Sequence, residues 1–209
     1  MRCCFCSARG SLGRRQGLKA SCVEALRLLR RDRRVCALGL VVACFEGSIY
    51  AFVFNWTPAL SSKAWPPPEG VILSLFMMAC MCGASASTLM APTVKPVARL
   101  TVTAGVGACA LALAAFGCGH SGTVIVCFIA FCVFEFCVGV YYPSVGILKS
   151  KVVPEHVRGM VFNLYRIPLN AVVEFSKFLA TFAEEVEAGL LLSGWMFLVS
   201  HAPVWLLSW

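Results

Sequence analysis

The sequence predicts an all-α membrane protein in which six helices cross the bilayer. Three observations carry this prediction. First, 59% of the 209 residues are hydrophobic and only 13% are charged, about half the charged share of an ordinary soluble domain. Mean hydropathy is +0.81, and too little polar side chain is present to cover a water-facing globule. Second, six apolar runs each reach the ~20 residues that a helix needs to cross about 30 Å of hydrocarbon. Third, Lys and Arg cluster in every other connection, as the positive-inside rule requires of successive spans. Backbone polar groups cannot stay unpaired in lipid, so a helix is the form open to such runs.

Residues 1–34 read as a basic leader and 35–209 as a six-helix transmembrane bundle. The leader is rich in small residues and has no apolar stretch of signal-peptide length. Its end, EALRLLRRDRR, fits a short amphipathic helix. Arg27, Arg30, Arg31, Arg33 and Arg34 would then meet anionic headgroups. The first span covers 35–57, and PALSSKAWPPPEG ends it, because three consecutive prolines cannot continue a helix. The second span is 70–91, separated by APTVKPVAR from the third at 98–118. GCGHSG turns into the fourth, 122–148. KSKVVPEHVRG leads to the fifth, 159–183, and EEVEAG to the sixth, 189–209. The sixth ends at Trp209 without an interfacial flank, and the chain is therefore expected to be a piece of a longer protein.

Arginines crowd the leader. Lys95 and Arg99 follow in the second connection, and Lys149, Lys151 and Arg158 in the fourth. The first, third and fifth hold Lys63, His120 and the acids Glu184, Glu185 and Glu187. This alternation places both termini in the cytoplasm of a multi-pass protein, with the plasma membrane as the expected location. The net charge of +8 is read as affinity for an anionic lipid surface. No basic patch interleaved with aromatics points to nucleic acid.

Thirteen cysteines are present, most of them within apolar runs, where they act as small hydrophobes. The pairs Cys4/Cys6 and Cys80/Cys82 lack a second pair and histidines at ligand spacing, so no metal or cofactor is expected. His120, His156 and His201 stand near no Ser/Asp or Cys pair of catalytic pattern, and no phosphate-cradling glycine loop occurs. The chain is not expected to be an enzyme or an ATP-driven pump.

Chemistry is concentrated in polar residues set into the apolar runs. Glu46 lies mid-way along FEGSIYAFVFNWTPAL, with Tyr50 one turn on and Asn55 near the outer end. An acid at that depth costs about 2.5–3.5 kcal/mol on insertion scales. Either it lines a solute or proton pathway, or it pairs with a base as glue between helices. In the fourth span Glu135, Tyr142 and Lys149 recur at intervals of seven, with Gly139 between. They read as a cavity face or as ordinary packing. Pro143 is expected to kink that helix. In the fifth span Arg166, Asn170, Glu174 and Lys177 are spaced four, four and three, which makes one polar stripe. The stripe must meet protein or water rather than lipid. The alternative is an ion-pair ladder, with Glu174 on Lys177 and Arg166 on Glu46 or Glu135.

FEGSIYAFVFNWTPAL, VGVYYPSVGILKSKVVPE and FNLYRIPL, in this order, resemble the molybdate-anion transporter family of the major facilitator superfamily. The resemblance runs from about residue 26 to the end and matches 70–118 in character only. It implies the second half of a twelve-helix protein, with substrate held between two six-helix halves. Glu46 and Asn55 would fall on helix seven, Tyr141 and Tyr142 on helix ten, and Arg166 on helix eleven.

The resemblance implies secondary transport of molybdate. A tetrahedral dianion needs fixed positive charge and donors. Arg166 is expected to attract it, with Tyr142, Asn170 and Asn55 as donors. Glu46, Glu135, Glu174 and Lys177 are expected to couple or gate. The expected partners are the oxyanion, the lipid bilayer, and an absent N-terminal half or partner subunit. Two alternatives stand beside this: a carrier of a sugar or other organic solute, and a non-transporting half that assembles with a partner.

Overall fold

A computed structural model describes residues 21–61, 68–118 and 124–183. The sixth expected span, 189–209, lies outside them, as do Lys63, His120, His201, Glu184, Glu185, Glu187, Cys4 and Cys6. The described residues form six helices and one short 3-10 turn, with no strand among them. Helix α1 covers 21–31. It is followed by α2 (Arg33–Leu60), α3 (Glu69–Met90), α4 (Pro96–Cys118), α5 (Val124–Val152), the turn Glu155–Val157, and α6 (Arg158–Ala183). Five of the six expected spans thus appear as α2 to α6. By length and composition α2, α3, α4 and α5 are able to cross a membrane. At 26 residues α6 has the length, but its polar stripe sets it apart. This is an all-α, multi-pass membrane fold.

Local chemistry sets the boundaries. Asp32 breaks the helix at φ −104°, ψ 107° and caps α2, its carboxylate accepting from the Arg34 N–H at 2.8 Å. Pro96 opens α4, where a missing N–H costs nothing. Pro143 and Pro168 lie inside helices that continue on both sides of them. Hydroxyls within the spans fold back on their own helices: Ser48 donates to the Cys44 carbonyl and Ser144 to that of Val140, both at 2.8 Å. That satisfies them where no water is at hand.

The centre of the bundle is α5, which packs against α3, α4 and α2, while α6 leans on α2. Phe52 sits among Phe76, Phe131 and Phe134, with ring centroids at 5.8, 5.1 and 4.9 Å. The α3–α5 crossing is closer still, because it is glycine on glycine. A Cβ on Gly139 would run into the Cys80 carbonyl, and one on Gly83 into the Phe136 carbonyl. Backbones touch there, as small residues allow in membrane packing. Gly139 thus permits a close helix approach, as its place on that face of the fourth span suggests.

The α2–α6 seam is built differently. The two helices run parallel, with the Tyr165 ring over Gly39 and Val172 over Gly47. The Tyr165 hydroxyl donates to the Val35 carbonyl at 2.6 Å. Described basic residues gather at one end of the bundle: the start of α2, the α3–α4 connection and the α5–α6 connection. There α1 packs its own face, with Ala25 fully buried and Leu28 and Leu29 set against the core. The Glu24 carboxylate meets His156 of the 3-10 turn at 3.1 Å. The apolar face of this amphipathic helix is thus spent on protein.

Candidate functional site

The α2–α5–α6 side of the bundle collects most of the polar residues singled out in the sequence. Glu46, on α2, accepts from the Tyr141 hydroxyl at 3.3 Å and from the Lys149 ammonium at 3.4 Å. Both ion-pair side chains are 22% exposed. Tyr141 itself is fully buried and stacks on Phe45, with centroids 3.6 Å apart. The Lys149 ammonium also lies 5.3 Å above the Phe162 ring of α6, so a single cation ties three helices together. Of the two readings of Glu46, the paired one describes its ground state, with Lys149 rather than Arg166 as the base.

Tyr142 stands beside this cluster, 5.4 Å from the Tyr141 ring and half exposed. Glu135, two turns away on α5, is only 5% exposed. The heptad spacing that grouped Glu135, Tyr142 and Lys149 does not hold them on one environment. Glu135 is buried, Tyr142 opens outward, and Lys149 turns to Glu46.

On α6 the polar stripe is real and is left exposed by the described helices. Tyr165 and Leu169 are buried, whereas Arg166, Asn170, Glu174 and Lys177 are all exposed. Glu174 and Lys177 pair at 3.0 Å, which is the expected rung of the ladder. The Lys177 ammonium lies 5.2 Å from the Phe54 ring of α2. Arg166 makes no ion pair among the described residues, so the cross-bundle pairing with Glu46 or Glu135 does not form. Asn55 is half-buried and donates one amide N–H to the Ala51 carbonyl at 2.7 Å, leaving the other available.

The parallel register sets heights along the seam. Tyr165 is opposite Gly39 and Lys177 reaches Phe54. Arg166 and Asn55 are then separated by roughly 20 Å along the axis, at 1.5 Å per residue. One small ion cannot touch both. By axial level Arg166 and Asn170 fall near one end of the seam, with the Glu46–Lys149–Tyr141 cluster, and Lys177 and Asn55 near the other. Sequence reading missed Tyr141 as the acid's hydrogen-bond partner. The signal present was its position one residue from Tyr142, but nothing local tells which of two adjacent tyrosines faces α2.

If the Glu46–Lys149 pair holds α2 to α5, the two substitutions should not act independently. A cycle of Glu46→Gln, Lys149→Met and the double variant should give a coupling of about 1 kcal/mol in unfolding of the purified chain in detergent. Additive effects would show that the contact holds nothing.

Comparison with known proteins adds a separate line. Residues 3–134 match a family described as sugar transporters with 12 transmembrane spans. Proteins named molybdate-anion transporter also match. That of Xenopus tropicalis is 32% identical over 165 residues, covering 76% of this chain and 35% of the relative. That of Danio rerio is 37% identical over 159 residues, covering 72% and 32%. That of Takifugu rubripes is 32% identical over 168 residues, covering 76% and 34%. The chain spans about a third of the length of these curated relatives. No solved structure matches.

Proposed function

The chain belongs to the molybdate-anion transporter family of the major facilitator superfamily, and on that premise we propose that it forms the C-terminal half of a secondary transporter for the molybdate oxyanion. One observation carries the site: an exposed polar stripe on α6 that the described helices leave uncovered. Such a stripe cannot face lipid. A second six-helix half, from the same longer chain or from a partner subunit, would close over it and make it the wall of a substrate path.

In this reading Arg166 is the fixed charge that draws in the dianion, its planar fork suited to two oxygens at once. Asn170 and Tyr142 donate at the same level, and Asn55 with Lys177 forms a second station. The Glu46–Lys149 pair keeps a negative charge from repelling the substrate while closed, and its opening is the gating event. The buried Glu135 is the candidate for proton coupling. The Glu174–Lys177 pair exchanges partners as the ion passes. The basic end of the bundle faces the cytoplasm, so both termini lie there, and the plasma membrane is the expected site of action. In this reading residues 1–34 serve as a basic cytoplasmic leader and 35–209 as the six-helix transmembrane bundle of a transporter rather than an enzyme.

A second reading is supported by the family description as sugar transporters and by the exposed Tyr50, Tyr142 and Asn170, which could hydrogen-bond hydroxyls. Uptake competition separates the two. Cells expressing a full-length protein that contains this half should accumulate molybdate, and excess hexose should leave that uptake unchanged. Displacement by hexose and indifference to molybdate would replace the anion reading with the sugar one. Absence of all uptake, with recovery of a larger partner on purification, would favour a non-transporting half.

A further inference from the structure

The arginines of α1 are the strongest charge feature that the transport reading does not use. Val23, Leu26, Arg27, Arg30 and Arg31 follow the spacing i, i+3, i+4, i+7, i+8, which places them on one face of the helix. All five are exposed. Among the described residues they line a hollow of about 540 Å³. The opposite face, through Ala25, Leu28 and Leu29, is committed to the bundle. Neighbouring carboxylates are engaged elsewhere: Glu24 meets His156, and Asp32 accepts the Arg34 N–H. No ion pair forms with Arg27, Arg30 or Arg31 among the described residues.

From this arrangement we infer that the exposed face of α1 binds the headgroup of an anionic phospholipid bearing phosphate monoesters. Three arginines whose apolar stems line one open hollow can turn their forks onto a headgroup with several phosphate oxygens, each fork engaging two of them. Val23 and Leu26 give the apolar floor that the glycerol and the start of the acyl chains need. Position fits as well. Only Asp32 separates α1 from α2, so the helix is held at the level where a spanning helix leaves the hydrocarbon. Since the apolar face of α1 is docked on protein, the helix acts as a fixed comb of arginines rather than an inserting anchor.

The test uses the whole 209-residue chain in neutral detergent, with binding followed by native mass spectrometry. The probes are dioctanoyl phosphatidylinositol bisphosphate, dioctanoyl phosphatidylcholine and soluble inositol trisphosphate. The bisphosphate lipid should bind at least about tenfold more tightly than phosphatidylcholine, and less tightly as salt rises. Arg27→Gln/Arg30→Gln/Arg31→Gln should lower that affinity about tenfold or more without changing the unfolding temperature, because the three side chains are exposed. Arg27→Lys/Arg30→Lys/Arg31→Lys, which keeps the charge and loses the forks, should fall between. The charge-matched control Arg33→Gln/Lys95→Gln/Lys151→Gln should bind like the parent. The inference is overturned if the glutamine variant binds like the parent, if phosphatidylcholine binds equally, or if the control loses as much. Equal binding of inositol trisphosphate would overturn the lipid as the source and leave a free-anion site. Displacement by a polyglutamate peptide at matched concentration would instead assign the face to an acidic protein segment.

Discussion

Placing alanine at Gly139 should destabilise the bundle severely, although it adds only one methyl group. The new Cβ would run into the Cys80 carbonyl and press on the Ala84 nitrogen. Both are backbone atoms of a helix, which cannot swing aside as a flexible side chain does. Helices α3 and α5 must separate, and the separation carries with it the aromatic cluster that Phe76 shares with Phe131. Overpacking a tight core costs about 1–3 kcal/mol where side chains can adjust, and here they cannot. The expected loss is at or above the upper end of that range, a hundredfold or so in the folded-to-unfolded ratio. Gly146 provides the control on the same helix. A Cβ there meets nothing within 4 Å, and alanine is the better helix former by roughly 1 kcal/mol. Gly146→Ala should therefore hold or raise the unfolding temperature in detergent while Gly139→Ala lowers it sharply. Equal behaviour of the two variants would show that the glycine crossing is not what sets the packing. Gly83→Ala should repeat the Gly139 result from the other side of the contact.

Removing the charge of Arg166 in a full-length protein that contains this half should abolish most molybdate accumulation. Arg166 is exposed on α6 with no ion pair among the described residues, so Arg166→Ala leaves no buried acid unpaired and spares the fold. A charge-assisted hydrogen bond contributes about 1.5–3 kcal/mol, and the arginine fork can make two. Uptake at low molybdate should fall by at least tenfold, with surface abundance unchanged. Arg166→Lys restores charge without the fork and should recover only part of the activity. Uptake by the alanine variant equal to the parent would remove Arg166 from the path and move attention to Lys177, 5.2 Å from the Phe54 ring.

Much of the architecture was legible because bilayer thickness dictates span length, and charge marks the ends of spans. The runs at 35–57 and 70–91 correspond to α2 and α3 within a few residues. The stripe on α6 was legible for a related reason: 3.6 residues per turn puts residues 166, 170, 174 and 177 on one face whatever surrounds them. Partners across the bundle were not legible. Lys149 and Glu46 are 103 positions apart, and their meeting depends on how α5 is rotated against α2. Glu135, Tyr142 and Lys149, seven apart on one helix, meet different surroundings for the same reason. Helix α5 is surrounded by α2, α3 and α4 in turn, so one face meets different neighbours along its length. A repeat of seven also drifts about 20° per step on a straight helix. The amphipathic α1 was recognised, but its sequence could not say whether lipid or protein would take the apolar side.

The α2–α6 seam has one more consequence. Its two notches, Gly39 under Tyr165 and Gly47 under Val172, act like the teeth of a key. For α6 to slide along α2, a ring and a branched methyl group would have to climb out of their seats together, and close-packed contacts of this kind switch between discrete arrangements rather than deform smoothly. The pair consequently moves as one lever. A displacement of α6 at the end where Lys177 lies should then be carried to Tyr165 and Val35, with the slack expected at the outer surface of α6 rather than along this seam.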